Sequence, residues 1–101
     1  MQTDDFEWDD PKAARNLADH AVSFATATLA FDDPHGYDEL DDTEYYGEER
    51  WRWIGLIDDH RLIAVAYCHR GHRIRIISAR KAEHHERKLY DAQKQNPWPG
   101  G

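Results

Sequence analysis

A change in the spacing of the apolar residues near Arg50 most constrains the fold of this chain. Beyond that residue the apolar positions repeat every two residues, which is the period of a β-strand with one buried face. Two short polar turns interrupt the pattern. It therefore predicts an antiparallel meander with strands near 50–57, 62–69 and 73–78.

Helical spacing flanks the predicted meander on both sides. A short strand at 6–8 precedes a helix over 11–20, for which Asp10 is the expected N-cap residue. A second helix over 23–31 carries its apolar residues on one face, and a third helix follows Ser78. The order of strand, two helices, three strands and helix predicts an α+β fold.

Two segments lack any apolar period. Residues 35–49 are polar and acidic, which predicts an exposed loop. Residues 96–101 contain two prolines and two glycines, which predicts a mobile tail. A length of 101 residues is enough for one domain, which we expect over 1–95.

The charges are distributed unevenly along the chain, whose net charge is −7. Residues 1–49 contain fifteen acidic residues and two basic ones, whereas residues 50–101 contain eleven basic residues and five acidic ones. An acidic protein repels nucleic acids, but a basic half leaves nucleic-acid binding open. The alternative is a protein in which the two halves neutralise each other.

The composition also bears on location and on some classes of enzyme. The chain has no apolar run of the roughly 20 residues that span a bilayer, and it does not begin like a signal peptide. One cysteine, Cys68, excludes an internal disulfide, so we expect a cytoplasmic protein. The motifs GxxxxGK[ST], GxGxxG and GxSxG are absent, which argues against nucleotide-binding loops and a serine hydrolase.

The densest chemical signal lies between Gly71 and Lys88. Alternation along a strand places two arginines on one face, and basic residues continue from them onto one face of the last helix. Such groups can bind phosphate and stabilise charge on a phosphoryl centre. These basic residues are Arg73, Arg75, Arg80, His84, Arg87 and Lys88. The alternative is a solvated charged surface.

A metal site is a weaker interpretation. Cys68, His69 and His72 have spacings that zinc ligands use, with His84 and His85 further along. Adjacent strand residues point to opposite faces, so Cys68 and His69 cannot both bind one ion without distortion. The carboxylates of 38–49 are a second weak candidate, for a divalent-cation nuclease. We expect surface histidines and no metal.

Several motifs, in unbroken order over about residues 5–91, resemble the BrnT family of toxins. They begin with Phe6-Glu7-Trp8-Asp9, Lys12-Ala13, Asn16, His20 and Val22-Ser23-Phe24. They continue with Phe31-Asp32-Asp33-Pro34, Gly47-Glu48-Glu49-Arg50, the run Arg73–Ala82, Glu86-Arg87 and Tyr90. The resemblance implies a RelE-like fold and a ribonuclease that arrests translation. It also implies a type II toxin–antitoxin pair whose antitoxin, BrnA, has a ribbon-helix-helix domain and represses the operon together with the toxin.

The resemblance also implies site residues for a metal-independent endoribonuclease without a cofactor. We expect Arg70 and Arg80 to stabilise the phosphorane, and His20, His84 or Tyr90 to transfer protons. His20 ranks above His84 because the family motif carries a histidine there. The expected contacts to RNA phosphates are Arg73, Arg75, Arg87 and Lys88.

A BrnA-like antitoxin is the expected partner, with two toxins and two antitoxins in the complex and with operator DNA bound through the antitoxin. Two further surfaces for it are the acidic segment Tyr37–Glu49 and the basic face around Arg70, Arg80 and Arg87. We favour a sheet edge near Arg50, Trp51 and Trp53, because aromatic residues beside arginines make good interface anchors. The alternative function is a non-catalytic binding module or a transcriptional co-regulator that acts through its basic face.

Overall fold

A five-stranded sheet forms the centre of the structure, a computed structural model that describes the backbone of residues 1–45 and 47–95 and the side chains of 1–41 and 47–95. The strands are β1 (Phe6–Glu7), β2 (Tyr37–Tyr45), β3 (Glu48–Leu56), β4 (Leu62–Arg70) and β5 (Arg73–Lys81). Their order is β1-β5-β4-β3-β2, with β1 parallel to β5 and the other neighbours antiparallel. The predicted α+β class is confirmed, and the strands predicted near 50–57, 62–69 and 73–78 correspond to β3, β4 and β5, to which β2 adds a fourth antiparallel strand. The expected tail, 96–101, lies outside the described residues.

The prediction of an exposed loop over 35–49 was wrong, because most of this segment forms β2 and the start of β3. Two acidic residues of β2, Glu39 and Asp41, lie opposite arginines of β3. Glu39 Oε1 is 3.1 Å from Arg52 Nε, and Asp41 Oδ2 is 3.4 Å from Arg50 Nε. Cross-strand ion pairs of this kind stabilise a strand that has no apolar period of its own.

Three helices accompany the sheet: α1 (Asp10–His20), α2 (Phe24–Ala27) and α3 (His84–Gln95). The N-cap of α1 is Asp9 and not Asp10, since Asp9 Oδ2 accepts a hydrogen bond from the amide of Lys12 at 3.1 Å. No helix in the described part of the chain is long and apolar enough to cross a membrane.

The second predicted helix is α-helical only as α2 and continues as a 3₁₀ helix over Thr28–Asp32. The Trp53 indole N–H donates to the carbonyl of Ala30 at 2.6 Å within this segment. Gly55 permits the close approach, because a Cβ there would lie 2.5 Å from the same carbonyl oxygen. The Trp53 indole thus binds a backbone carbonyl that would accept a hydrogen bond within the helix if the α-helix were longer.

The sheet has two differently covered faces. The first face packs against α1, α2 and the 3₁₀ helix around the main core, formed by Phe24, Ala27, Ala30, Ile63, Val65, Ile76 and Ala79. On the second face, Tyr90 of α3 packs on Ile54, Leu62 and Ala64. The rest of the second face carries a small buried cluster of Ala66, Cys68 and Ile77 together with arginines and carboxylates, so most of the ion pairs of the meander lie there.

A β-bulge in β5 decides which of its residues share a face. Tyr67 pairs with Ile76 but Ala66 pairs with Ser78, so Ile77 is the extra residue. The bulge shifts the alternation by one position. Arg75 before it and Arg80 after it therefore lie on the same, second face, although their spacing is odd.

The buried side chain of Asn16 closes one edge of the sheet. Its Nδ2 donates to the carbonyls of Ala79 at 2.8 Å and Val22 at 2.9 Å, and its Oδ1 accepts from the amide of Ala79 at 3.1 Å. We expect Asn16→Ala to lower the free energy of unfolding by about 2–3 kcal/mol, because buried backbone groups lose their partners. Urea denaturation measures this change. The exposed neighbour is the control, with Leu17→Ala within about 0.5 kcal/mol of wild type. Equal losses in both variants would contradict the prediction.

Candidate functional site

A cleft of about 420 Å³ opens at one end of the sheet, where α1 ends, β3 turns into β4 and β5 leads into α3. Five polar residues line it, and apolar side chains that include Val22 and Leu62 complete the wall. The polar residues are His20, His60, Arg61, Lys81 and Arg87. Two histidines and three basic residues therefore line one cavity, which we call the basic cleft.

The end of α1 places His20 at the cleft. Ala21 adopts a left-handed conformation with φ of 59°, and its amide donates to the carbonyl of Leu17 at 2.9 Å. This C-cap stops the helix directly after His20 and turns the chain toward α2. His20 is consequently an exposed residue at a fixed backbone position.

The turn between β3 and β4 places His60 and Arg61. Asp58 Oδ1 accepts from the amides of His60 at 3.0 Å and Arg61 at 2.8 Å, and Asp58 Oδ2 pairs with the Arg61 guanidinium. The two backbone N–H groups, and then Arg61, hold the pKa of Asp58 well below its usual range. The carboxylate therefore stays ionised and orders the turn, while the side chain of His60 is 82% exposed.

Arg87 joins α3 to this turn. Its Nη2 donates to the carbonyl of His60 at 3.0 Å. A guanidinium has five N–H donors and this contact takes one of them. Among the described residues, Arg87 is therefore oriented at the cleft by a neutral carbonyl and not by a carboxylate.

An ion-pair cluster on the second face fixes the first turn of α3. The buried Glu86 accepts from Arg80 Nη1 at 2.8 Å and from Arg80 Nη2 at 3.1 Å, and from the amide of Glu83 at 2.8 Å. Arg52 Nε lies 3.6 Å from the same carboxylate. Burial raises the pKa of Glu86, but Arg80 and the Glu83 amide more than offset this, so the pKa lies below its ordinary value. By pairing with Glu86, Arg80 thus positions α3 and also Arg87, the residue that follows Glu86.

The structure does not bring Arg70 and Arg80 to one centre. Arg80 lies opposite Ala64 of β4, and Arg70 is six residues further along that strand, about 20 Å away at the rise of a strand. Arg70 Nε pairs with Glu48 Oε2 at 3.0 Å. The two arginines therefore cannot share one phosphate as the sequence analysis expected.

Two other expected proton-transfer residues do not line the basic cleft. Tyr90 is buried, and its hydroxyl donates to Asp33 Oδ2 at 2.6 Å. Burial and the bond to Asp33 raise the pKa of Tyr90 far above its ordinary value, which disfavours a catalytic proton transfer. His84 is exposed at the start of α3.

The expected phosphate contacts separate into three places. Arg87 lines the basic cleft, and Lys88 is exposed beside it on α3. Arg73 Nε donates to the carbonyl of Thr3 at 2.7 Å, and Arg75 pairs with Glu7 at 2.7 Å. These last two arginines tie the N-terminal segment to the sheet.

The expected antitoxin anchors do not lie at a sheet edge, because β2 covers the outer side of β3. Trp53 is stacked on Phe31 at 5.6 Å and is part of the packing of the first face. Trp51 is half-buried opposite Leu40, and Arg50 pairs with Asp41. The sheet edge itself is β2.

His60, Arg61 and Lys81 were not among the site residues predicted from the sequence. The first two lie in a segment that was predicted only as a turn. Lys81 follows Arg80 directly, and adjacent residues of a strand point to opposite faces, so its separation from the arginines was foreseeable. Among the described residues, no group of three or more His, Cys, Asp or Glu side chains is arranged to bind a metal, and Cys68 is buried while His69 is exposed.

A sequence model of the family described as ribonuclease toxin, BrnT, of type II toxin–antitoxin system matches residues 8–86, well over half of the chain. The chain belongs to the BrnT family. It is also similar to the crystal structure of the BrnT ribonuclease toxin of Brucella abortus, with 26% identity and a TM-score of 0.60 over 80% of this chain and 99% of that one. No curated protein matches the chain.

Membership in the BrnT family makes this chain a ribonuclease toxin of a type II toxin–antitoxin system, and such a system includes an antitoxin. The match spans four of the five polar residues of the basic cleft, and Arg87 is the residue directly after it. The residues that line the cleft, apart from Arg87, therefore lie within the part of the chain that carries the family signal.

Proposed function

We propose that this BrnT toxin is an endoribonuclease whose active site is the basic cleft. The observation that carries the proposal is the meeting of His20 and His60 with Lys81 and Arg87 around one cavity. RNA cleavage needs a proton acceptor, a proton donor and positive charge around a phosphate. The cleft supplies all three from four separate elements.

In the proposed reaction, His20 takes the proton of a ribose 2′-hydroxyl. The 2′-oxygen forms a bond to the adjacent phosphorus, and the bond from phosphorus to the 5′-oxygen breaks. His60 gives a proton to the departing 5′-oxygen. The products are a 2′,3′-cyclic phosphate and a 5′-hydroxyl, and the protons balance because one is taken and one is given. Lys81 and Arg87 stabilise the charge of the phosphorane.

We further propose that cleavage needs no metal ion. The cationic side chains at the cleft provide the charge that a divalent ion provides in other nucleases. The prediction is that the rate of RNA cleavage is unchanged in EDTA and that the product carries a cyclic phosphate end. A rate abolished by EDTA and restored by Mg²⁺ would contradict it.

His20→Ala tests the cleft as the active site. We expect the cleavage rate of a labelled RNA to fall about 100-fold, because a positioned acid–base group contributes a factor of this order. His35→Ala is the matched control, since His35 is also exposed but lies outside the cleft. Equal rates in the two variants would place the chemistry elsewhere.

The effect of cleavage in the cell, the identity of the antitoxin and the composition of the complex are proposals as well. We propose that cleavage arrests translation in the cytoplasm, and that the antitoxin is a BrnA-like ribbon-helix-helix protein. Two toxins and two antitoxins would form the complex, with operator DNA contacted through the antitoxin. The support is the family match and the net charge of −7, which disfavours direct DNA binding by the toxin. Light scattering on the co-expressed pair tests the stoichiometry.

A further inference from the structure

The two edges of the sheet differ in whether their backbone groups have hydrogen-bond partners. On the β5 side, β1 pairs with Ile74 and Arg75, and Asn16 takes the backbone groups of Ala79. The outer side of β1 is itself bridged by Gln2. On the other side, no element of residues 1–45 and 47–95 pairs with the outer side of β2, which is nine residues long. A long open edge is a template for another strand.

Hydrogen bonds at the end of β3 show which of its backbone groups turn toward β2. The amide of Leu56 donates to Asp33 Oδ2 at 2.8 Å, on the β2 side. The next amide, that of Ile57, donates to the carbonyl of Arg61 at 3.0 Å, on the β4 side. Backbone groups alternate along a strand, so the even-numbered residues of β3 turn toward β2.

The register then identifies the free groups of β2. Tyr37 lies opposite Ile54 and Glu39 opposite Arg52, so these are the hydrogen-bonded pairs. The intervening residues, Asp38 and Leu40, direct their N–H and C=O groups away from β3. These are the groups that an added strand would meet.

The charge of β2 indicates what kind of strand could be added at its open edge. Tyr37–Tyr45 contains five acidic residues and no Lys or Arg, so the strand stays net negative after Glu39 and Asp41 pair with Arg52 and Arg50. A second copy of β2 would set acids against acids, which disfavours self-pairing, whereas a basic segment would be attracted. Leu40 is 52% exposed beside the half-buried Trp51, which adds an apolar anchor.

We propose that β2 binds an extended, basic segment of the antitoxin as a sixth strand of the sheet. The inference rests on the antitoxin partnership within the proposed function but not on the basic cleft. The added strand gains backbone hydrogen bonds from Asp38 and Leu40, side-chain attraction from the acids and an apolar contact at Leu40.

Amide hydrogen exchange tests the proposal on the unmodified protein. The toxin is compared with its complex with the antitoxin encoded beside it, co-expressed and purified. We expect the amides of Asp38 and Leu40 to exchange rapidly in the free toxin and to slow by about 100-fold or more in the complex. Unchanged exchange of both amides in the complex would overturn the proposal.

Leu40→Pro removes one outward N–H, and proline is tolerated at an edge strand when its nitrogen faces outward. We expect it to weaken antitoxin binding at least about tenfold relative to Leu40→Ala, which trims the same side chain but keeps the N–H. The Kd of wild type should also rise with ionic strength. Equal binding of the two variants, or a Kd that is independent of salt, would overturn the proposal.

RNA cleavage separates this proposal from the active-site assignment. Both Leu40 variants should cleave RNA at the wild-type rate, because β2 lies outside the basic cleft. Weakened antitoxin binding with no cleavage by wild type would support the β2 interface and reject the nuclease proposal. If Leu40→Pro binds the antitoxin normally and RNA cleavage is also normal, the β2 interface is rejected and the nuclease proposal is supported.

Discussion

Glu86→Ala is expected to lower the free energy of unfolding by about 3 kcal/mol, the largest effect on stability that we predict. Glu86 is 1% exposed and carries a bidentate pair with Arg80, a contact with Arg52 and the cap of α3. Its removal leaves the Arg80 guanidinium without its main counter-charge in a partly buried place and frees the Glu83 amide. Denaturant unfolding followed by tryptophan fluorescence measures the change.

Two variants serve as controls for Glu86. Glu83 lies 3.8 Å from Arg80 but is exposed, so Glu83→Ala should cost less than about 1 kcal/mol. Glu86→Gln keeps an acceptor for the Glu83 amide and for one Arg80 N–H, so its stability should be intermediate. The prediction fails if Glu86→Ala is no less stable than Glu83→Ala.

The pH dependence of stability gives a second readout for Glu86. Its pKa in the folded state is below the ordinary value of 4.5. Burial acts to raise this pKa, but Arg80 and the Glu83 amide lower it by more. The stabilisation from this group is therefore complete above pH 4.5 and is lost as the pH falls through the lowered pKa. We expect the difference in stability between wild type and Glu86→Gln to shrink in this acidic range. A constant difference would contradict the assignment.

Lys81→Ala and Arg87→Ala are each expected to reduce the RNA cleavage rate by about 100- to 1000-fold, because each removes a cation from the proposed phosphorane site. Arg87→Lys keeps the charge but loses the fork of N–H groups, so its rate should be intermediate. Single-turnover cleavage at saturating enzyme isolates the chemical step.

Lys94→Ala is the matched control for this pair, since Lys94 is an exposed cation on the last turn of α3. Its cleavage rate should equal that of wild type. Arg80→Ala separates positioning from catalysis, because a positioning role predicts lower stability together with a lower rate. Normal cleavage by Lys81→Ala and Arg87→Ala, with none by a fully stable Arg80→Ala, would move the active site to the second face of the sheet.

The sequence alone was sufficient for the elements whose stability is local. The two-residue period predicted β3, β4 and β5, and helical apolar spacing predicted α1, because such spacing acts over a few residues, although the cap of α1 is Asp9 and not the expected Asp10. The motifs around Arg75–Arg80 identified the family. His20 and Arg87 were chosen from sequence, and both line the basic cleft.

The tertiary structure decided what depends on contacts between distant residues. Residues 37–45 became a strand because they pair along β3, where Arg52 and Arg50 face Glu39 and Asp41, and no local pattern encodes this pairing. One extra residue at Ile77 set the faces of the arginines, and the register placed Arg70 and Arg80 about 20 Å apart. The basic cleft gathers side chains from positions 20 to 87, and such a meeting follows from packing and sheet order, since local spacing describes only neighbours along the chain.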